Sequence, residues 1–309
     1  MEKKTKYLFG PVPSRRLGLS LGVDIIPLKT CTQNCVYCQL GQDGAQTLER
    51  KPYVPIKAVL DELRESIAAG VQADYITLSG GGEPTLNSQI DEIIKGIKEI
   101  TTIPVALITN GTLFTDPAVR TDCANADVVL PSLDAGDEAT FAKINCPHQK
   151  INFGAFVEGL CRFRAEYKGQ IWLEVFLCEG INTSHREVEK IRAAVLLIGP
   201  DKIQLNTAIR PTADKSVVRV HPDRLRAIAT RLGPDAEVIT DFSSPTGDNA
   251  EADWSNILDM LRRRPCTLDD ICNGLGLTEN DVNRHLTHLA EAGAIISETA
   301  DDTVFFKAK

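Results

Sequence analysis

Three cysteines crowd into one short segment, Lys29-Thr-Cys-Thr-Gln-Asn-Cys-Val-Tyr-Cys-Gln-Leu-Gly41, at Cys31, Cys35 and Cys38. The spacing C-x3-C-x2-C offers three soft thiolate donors from a single loop. Three thiolates can hold three irons of a 4Fe–4S cluster and leave the fourth iron open to a ligand. The other common use of clustered cysteines is structural zinc, which needs a fourth Cys or His to close its tetrahedron. The loop contains neither. Six more cysteines, at 123, 146, 161, 178, 266 and 272, are scattered, and the total of nine is odd. Such a pattern is not a disulfide framework; Cys161 and Cys178 read as small buried hydrophobes, and Cys266 with Cys272, six apart, lacks the companion pair that an auxiliary cluster would need.

A second segment, Leu78-Ser-Gly-Gly-Gly-Glu-Pro-Thr-Leu86, follows one βα unit later. The run Gly80, Gly81, Gly82 exposes backbone polar groups and admits close approach of a ligand. Glu83 adds a carboxylate at the end of the run. A tight turn that opens into a helix start would use the same residues, so the segment gains meaning from its position after the cysteine loop.

The elements that carry these segments alternate. Apolar runs at Gly22–Pro27, Asp74–Ser79, Pro104–Thr109, Asp127–Leu133, Gln170–Cys178 and Asp201–Thr207 predict strands buried on both faces. Between them, Ile56–Ala69, Ser88–Ile100, Asn152–Tyr167 and Ser184–Ile198 repeat apolar residues at three and four, and Ser184 with Glu187 forms a capping-box pattern. Six strands with intervening helices predict an α/β fold with a parallel sheet, either open and doubly wound or a full or partial barrel. In each case the site belongs at the carboxyl ends of the strands. Polar residues at those ends are Asn110, Ser132, Asp134 and Asn206, with Glu174 inside its strand. Each is a candidate ligand contact, and each is also an ordinary cap or turn residue.

Two motifs in this order resemble the radical S-adenosylmethionine (SAM) superfamily. Cys31, Cys35, Tyr37 and Cys38 match its C-x3-C-x-aromatic-C motif, and Gly80–Glu83 contains its Gly-Gly-Glu. The resemblance covers about residues 20–210. It implies a partial (β/α)6 barrel, with a 4Fe–4S cluster on the three cysteines and SAM as the second cofactor. The open iron would chelate the SAM amine and carboxylate, and Glu83 would hold that amine. One injected electron would cleave the C5′–S bond, and the 5′-deoxyadenosyl radical would take hydrogen from substrate. Tyr37 would help orient adenine. Gly80, Gly81, Gly82, Asn110, Ser132, Asp134, Glu174 and Asn206 are the remaining SAM candidates. A low-potential donor such as flavodoxin or ferredoxin would supply the electron.

A narrower resemblance lies in Gly10–Gly18, Pro27–Gly41, Leu130–Asp134 and Ile144–His148. These stretches are similar to a prokaryotic group loosely assigned as wyosine-type tRNA-modifying synthetases. Those enzymes carry a second cluster on upstream cysteines, and this chain has no cysteine before Cys31. Protein, peptide, small molecule and tRNA all stand as candidate substrates. His148 is placed to face the mouth of the site or to serve its own turn.

The chain has 309 residues, 43% hydrophobic and 25% charged, enough for two domains with a sizeable core. No apolar run is long enough to span a bilayer, and no secretory signal pattern follows the polar start, so a cytoplasmic, membrane-free protein is expected. Texture changes after residue 240. The stretch 241–253 predicts a polar linker between a barrel at 1–240 and a smaller domain at 254–309. The order in that domain, Trp254–Arg263, Thr267–Leu275, Thr278–Ala292, Ala294–Ser297 and Thr303–Lys307, predicts a winged helix-turn-helix, turning at Gly276 and capped at Thr278. Severing it at the linker should leave a soluble barrel. From residue 250 onward six basic residues face eleven acidic ones. That balance argues against DNA as a partner, because phosphate neutralisation supplies most non-specific affinity. The alternative to an enzyme is a non-catalytic winged-helix regulator that senses SAM or iron.

Overall fold

The computed structural model describes residues 6–41, 44, 46–212, 214–239, 254–300 and 303–309. Strand β1 (Leu8–Ser14) runs antiparallel to β2 (Gly18–Val23). From β2 the sheet continues through β3 (Tyr75–Leu78), β4 (Val105–Thr109), β5 (Val128–Pro131), β6 (Gln170–Leu177), β7 (Lys202–Thr207) and β8 (Ala236–Val238). Each of these pairs parallel with the one before it. The spatial order is the sequence order throughout. A doubly wound sheet reverses its order at a switch point, whereas a sheet that always steps the same way has the winding of a barrel. Among the described residues β8 does not pair with β1, so the barrel stays open on one side.

The connecting helices are α1 (Ile56–Ala68), α2 (Ile90–Ile100), α3 (Pro117–Cys123), α4 (Glu138–Ile144), α5 (Phe153–Glu166), α6 (His185–Ile198) and α7 (Pro222–Leu232). Their apolar stripes bury against the sheet. In α2 the residues Ile90, Ile93, Ile94 and Ile97 are all inaccessible to solvent. Helix α6 starts where the Ser184 side chain accepts from Glu187 N–H and ends where Gly199 turns left-handed at φ 63°.

Five of the expected strands lie within two residues of their predicted bounds; the first does not. The strand runs over Gly18–Val23, and the apolar residues Ile25 and Ile26 are buried in a turn instead. The reason is local. Asp24 turns its carboxylate to Gly81 N–H at 3.0 Å and to Ile26 N–H, and Pro27 has no N–H to donate to a ladder. Strand β1 escapes the sequence pattern, because Pro11 and Pro13 read as breakers. It is an edge strand with a register shift between Phe9 and Val12, a place where proline is tolerated. Helices α3 and α4 are only seven residues each and show no periodicity to detect.

The turn between β1 and β2 enters the open side of the barrel. Leu17 is buried with Ala106, Val128, Leu130 and Trp172 and so plugs its lower interior. Beside it, Arg15 donates to Asn206 Oδ1 at 3.1 Å and Arg16 forms an ion pair with Glu174.

The predicted linker at 241–253 lies outside the described residues. Beyond it come α8 (Trp254–Arg263), α9 (Leu268–Leu275), α10 (Glu279–Glu291) and the hairpin β9 (Ile295–Ala300) and β10 (Thr303–Ala308). Thr267 and Asp270 close a capping box on α9, Gly276 ends it left-handed at φ 64°, and Thr278 caps α10. The core of this module includes Ile257, Leu261, Ile271, Val282 and Leu286, and also Val12 from β1. Phe9 packs on the same cluster, and Arg210 Nη2 donates to both Asp270 oxygens at 3.1 Å. The module is therefore built onto the barrel's edge strand. Cutting at the linker would uncover Val12 and Phe9.

Candidate active site

The segment leaving β2 carries the three cysteines and lies on the turn that follows β3. Lys29 N–H donates to the Gly81 carbonyl, and Glu83 N–H donates to the Thr30 carbonyl at 3.0 Å. A methyl group on Gly82 would overlap the Thr30 carbonyl oxygen, and one on Gly81 would crowd Leu28 and Ile26. Gly80 has φ 137°, a conformation that side chains rarely adopt. The glycines are thus required by the chain's own loop as well as lining the cavity below. On its other flank the cysteine loop is stitched to residues 144–148. Val36 N–H donates to Ile144 O at 3.0 Å, Asn34 N–H to Asn145 O at 3.1 Å and His148 N–H to Thr32 O at 2.9 Å.

Two buried carboxylates brace this arrangement. Glu83 is 2% exposed. Its Oε1 accepts from Thr85 N–H at 3.1 Å and from the Thr85 and Thr109 hydroxyls at 2.6 Å each, and its Oε2 accepts from Asn110 N–H at 2.7 Å. Burial pushes its pKa up, against the pull of those hydrogen bonds. Asp134, also 2% exposed, accepts from the Tyr37 hydroxyl, from Asn145 Nδ2 at 2.7 Å and from Phe176 N–H at 2.7 Å. Burial raises its pKa to about 6. Glu83 receives three protein donors on Oε1 and one on Oε2, which leaves Oε2 a further acceptor site.

A cavity of about 440 Å³ opens at the carboxyl ends of the strands. It is lined by Cys31, Cys35, Cys38, Tyr37, Gly80, Gly81, Gly82, Glu174 and Asn206, so nine of the thirteen sequence candidates meet there. Tyr37 stacks on Phe176 with ring centroids 3.9 Å apart, and Asn206 Nδ2 donates to Glu174 Oε1 at 2.8 Å. Four candidates lie outside the lining. Glu83 and Asp134 are the braces. Asn110 stands behind the loop, its Nδ2 3.5 Å from Cys31 Sγ and 2.7 Å from Thr32 Oγ1. Ser132 bridges to Glu174 through its backbone. His148 also lies outside; its Nδ1 accepts from Lys150 N–H at 3.3 Å and closes a turn. The lining also includes Phe176 and Arg210, to which the sequence assigns no role, Arg15 and Arg16 of the Gly10–Gly18 stretch, and Arg263 and Arg264, which the sequence offers as a small anionic anchor or the cationic end of a helix.

The cysteines are poor candidates for a free nucleophile. Burial pushes the Cys31 thiol up to about 12, with the nearby Glu83 adding to it, and burial raises Cys35 and Cys38 as well. Yet donors point at the sulfurs: Asn110 Nδ2 at Cys31, and Asn145 Nδ2 at 3.6 Å from Cys35, while the Lys29 cation favours the Cys38 thiolate. Buried thiols with donors directed at them suit ligation to a cationic centre, which deprotonates them outright. Among the described residues no three His, Cys, Asp or Glu side chains converge as the ligands of one metal ion would. Three thiols spread along a loop suit a cluster, in which each binds its own iron.

Comparison with known proteins agrees with this arrangement. The radical SAM superfamily model matches residues 25–190, and the model described as bacterial regulatory protein, arsR family, matches residues 255–297. The UPF0026 protein MJ1312 of Methanocaldococcus jannaschii is 34% identical over 96% of this chain and 94% of its own length. A Brachyspira hyodysenteriae protein named GTPase Obg is 38% identical over 98% of this chain, which spans only 45% of that longer protein. This chain contains no Gly-Lys pair and hence no P-loop sequence for a GTPase to use. Among solved structures, a radical SAM methyltransferase from Sphaerobacter thermophilus superposes with a TM-score of 0.53 at 18% identity, over 71% of this chain and 66% of that one, a likeness of fold. No described helix is long and apolar enough to cross a membrane. With the family model spanning more than half its length, the chain belongs to the radical SAM superfamily, is an enzyme of that class, and groups with the UPF0026 proteins.

Proposed function

We propose that Cys31, Cys35 and Cys38 hold a 4Fe–4S cluster at the mouth of the barrel and that SAM occupies the adjoining cavity. When bound, the cluster and SAM supply reductive cleavage to a 5′-deoxyadenosyl radical and hydrogen abstraction from substrate. The observation that carries this reading is the meeting of the three cysteines with Tyr37, Gly80–Gly82, Glu174 and Asn206 around one cavity. The stacked Tyr37–Phe176 pair offers an aromatic face for adenine. Glu174 and Asn206 are polar groups on the cavity wall for SAM or substrate. Glu83, Asn110 and Asp134 act as positioning residues that fix the cysteine loop, and Ser132 stands at the end of β5 behind it. Electron delivery falls to a low-potential partner such as flavodoxin or ferredoxin.

The C-terminal module, in this reading, serves the barrel and does not read DNA. Its support is the shared core with β1 and the charge of α10, where Arg284 stands against Glu279, Asp281 and Glu291. Anaerobic reconstitution tests the cluster assignment. Intact protein should take up about four irons and four sulfides per chain. A Cys35→Ala chain that kept a full cluster would overturn it. Titrating the whole chain with labelled duplex DNA at about 150 mM salt tests the module; micromolar, salt-sensitive binding would overturn that part.

A further inference from the structure

The cavity wall is strongly cationic, which SAM alone does not explain. Its lining contains Arg15, Arg16, Lys29, Arg210, Arg263 and Arg264, and Glu174 is its one carboxylate among the described residues. Arg15 donates to Asn206, and three of the other cations face carboxylates of the protein. Arg16 pairs with Glu174, and Arg210 with Asp270. Arg263 lies 3.8 Å from Asp24 and covers the Phe9 ring at 4.3 Å. Among the described residues no carboxylate lies within ion-pair distance of Arg264 or Lys29. SAM carries a sulfonium, an ammonium and one carboxylate, a net positive charge. The proposed function also places a cluster on Cys31, Cys35 and Cys38, whose three thiolates give it a net negative charge that offsets that of SAM, so the surplus of cations is the wall's own, at Arg264 and Lys29. Charges attract more strongly at a partly buried site than in bulk water, so a wall of this kind favours an anionic companion. The volume of about 440 Å³ falls in the range of small-molecule sites and is too small for a folded macromolecule.

We propose that this cavity binds a small anionic substrate, a molecule bearing carboxylate or phosphate groups, and that Arg264 of the C-terminal module supplies part of its binding site. The module is then a wall of the reaction chamber. The end of α8 carries Arg263 and Arg264 to the cavity, and the Arg210–Asp270 pair and the shared Val12 core keep it there. The inference rests on the proposed SAM reading, but its test separates the two.

Anaerobically reconstituted full-length protein is unfolded thermally with citrate, pyrophosphate or inorganic phosphate, and with sodium chloride at matched ionic strength. Spermidine is the cationic control. Citrate against pyrophosphate and phosphate distinguishes carboxylate from phosphate recognition. At about a hundred times Kd a specific ligand stabilises by about 2.7 kcal/mol, a rise in Tm of about 4 °C for a chain of this size. At least one anion should give such a rise beyond the chloride control, and spermidine should not. Arg264→Ala and Arg264→Gln should each weaken the effect about tenfold in concentration. Arg284→Ala, on α10 and outside the cavity lining, should leave it unchanged. SAM binding is measured on the same samples by equilibrium dialysis. SAM bound with no anion effect, or an anion effect indifferent to both Arg264 variants, overturns the anionic-substrate site alone. Anion binding without SAM binding counts against the SAM reading instead. Stabilisation by tRNA, lost in both Arg264 variants and not reproduced by any small anion, would overturn the small-molecule assignment.

Discussion

The cysteine side of the cavity and its arginine side are built in opposite ways. The cysteine side is one continuous loop pinned from behind. Asn110 and Asn145 direct their amides at the Cys31 and Cys35 sulfurs, Asp134 accepts from the Tyr37 hydroxyl, Glu83 holds Asn110 through its backbone N–H, and three glycines let the loop lie flat on the β3 turn. The arginine side is assembled from the β1–β2 turn, the segment after β7 and the end of α8, and it presents charge toward the cavity. One side is suited to carry the chemistry common to a superfamily. The other is suited to choose what that chemistry acts on. The module joins the two roles because it packs on β1, whose neighbouring turn reaches into the barrel.

The contrast can be broken most severely at the cysteines. Replacing Cys31, Cys35 or Cys38 with Ala should remove most of the iron and sulfide, measured by colorimetric assay after anaerobic reconstitution, because each thiolate would hold its own iron. Removing residues 254–309 should be nearly as damaging, for a different reason. It uncovers Val12 and Phe9 on an edge strand, a recognised route to aggregation. The truncated chain should elute as aggregate in size-exclusion chromatography; a stable monomer with a full cluster would show that the module is dispensable to the barrel.

Smaller changes sharpen the comparison. Gly82→Ala sets a methyl against a backbone carbonyl that cannot rotate away, so it should cost about 1–3 kcal/mol and lower cluster content as the loop lifts. Glu83→Gln replaces a four-fold acceptor with a group that must aim an NH₂ at one of those donors. It should destabilise by about 2 kcal/mol, a fall in Tm of about 3 °C, visible by calorimetry. A Gln variant with unchanged Tm and weakened SAM binding would return Glu83 to direct ligand contact. Arg264→Ala should leave Tm within about 1 °C in the absence of ligand, since Arg264 is only partly buried and its loss removes no described ion pair.

The two sides also differ in how much the sequence discloses. The cysteine loop and the glycine turn are contiguous motifs, so their residue types and spacing point to the chemistry by themselves. The helix caps of the C-terminal module, Thr267, Gly276 and Thr278, announce its helices in the same local way. What stays hidden is non-local. Arg16 meets Glu174 across 158 residues, and Arg15 meets Asn206 across 191. Val12 sits in a strand that its prolines disguise and contributes to a core formed by the far end of the chain. The roles of Glu83 and Asp134 are illegible for a related reason: a strand-end carboxylate looks the same in sequence whether it faces a ligand or several backbone and side-chain donors.

Reductive cleavage of SAM tests the central claim most directly. Reconstituted full-length protein is mixed anaerobically with SAM and dithionite, and 5′-deoxyadenosine and methionine are quantified by liquid chromatography against a Cys35→Ala control. An enzyme with its cluster on Cys31, Cys35 and Cys38 should release both products, and the variant should release neither. A protein with a complete cluster that binds SAM yet returns it intact, under reduction and with cellular small molecules added, would be a sensor and would contradict the account.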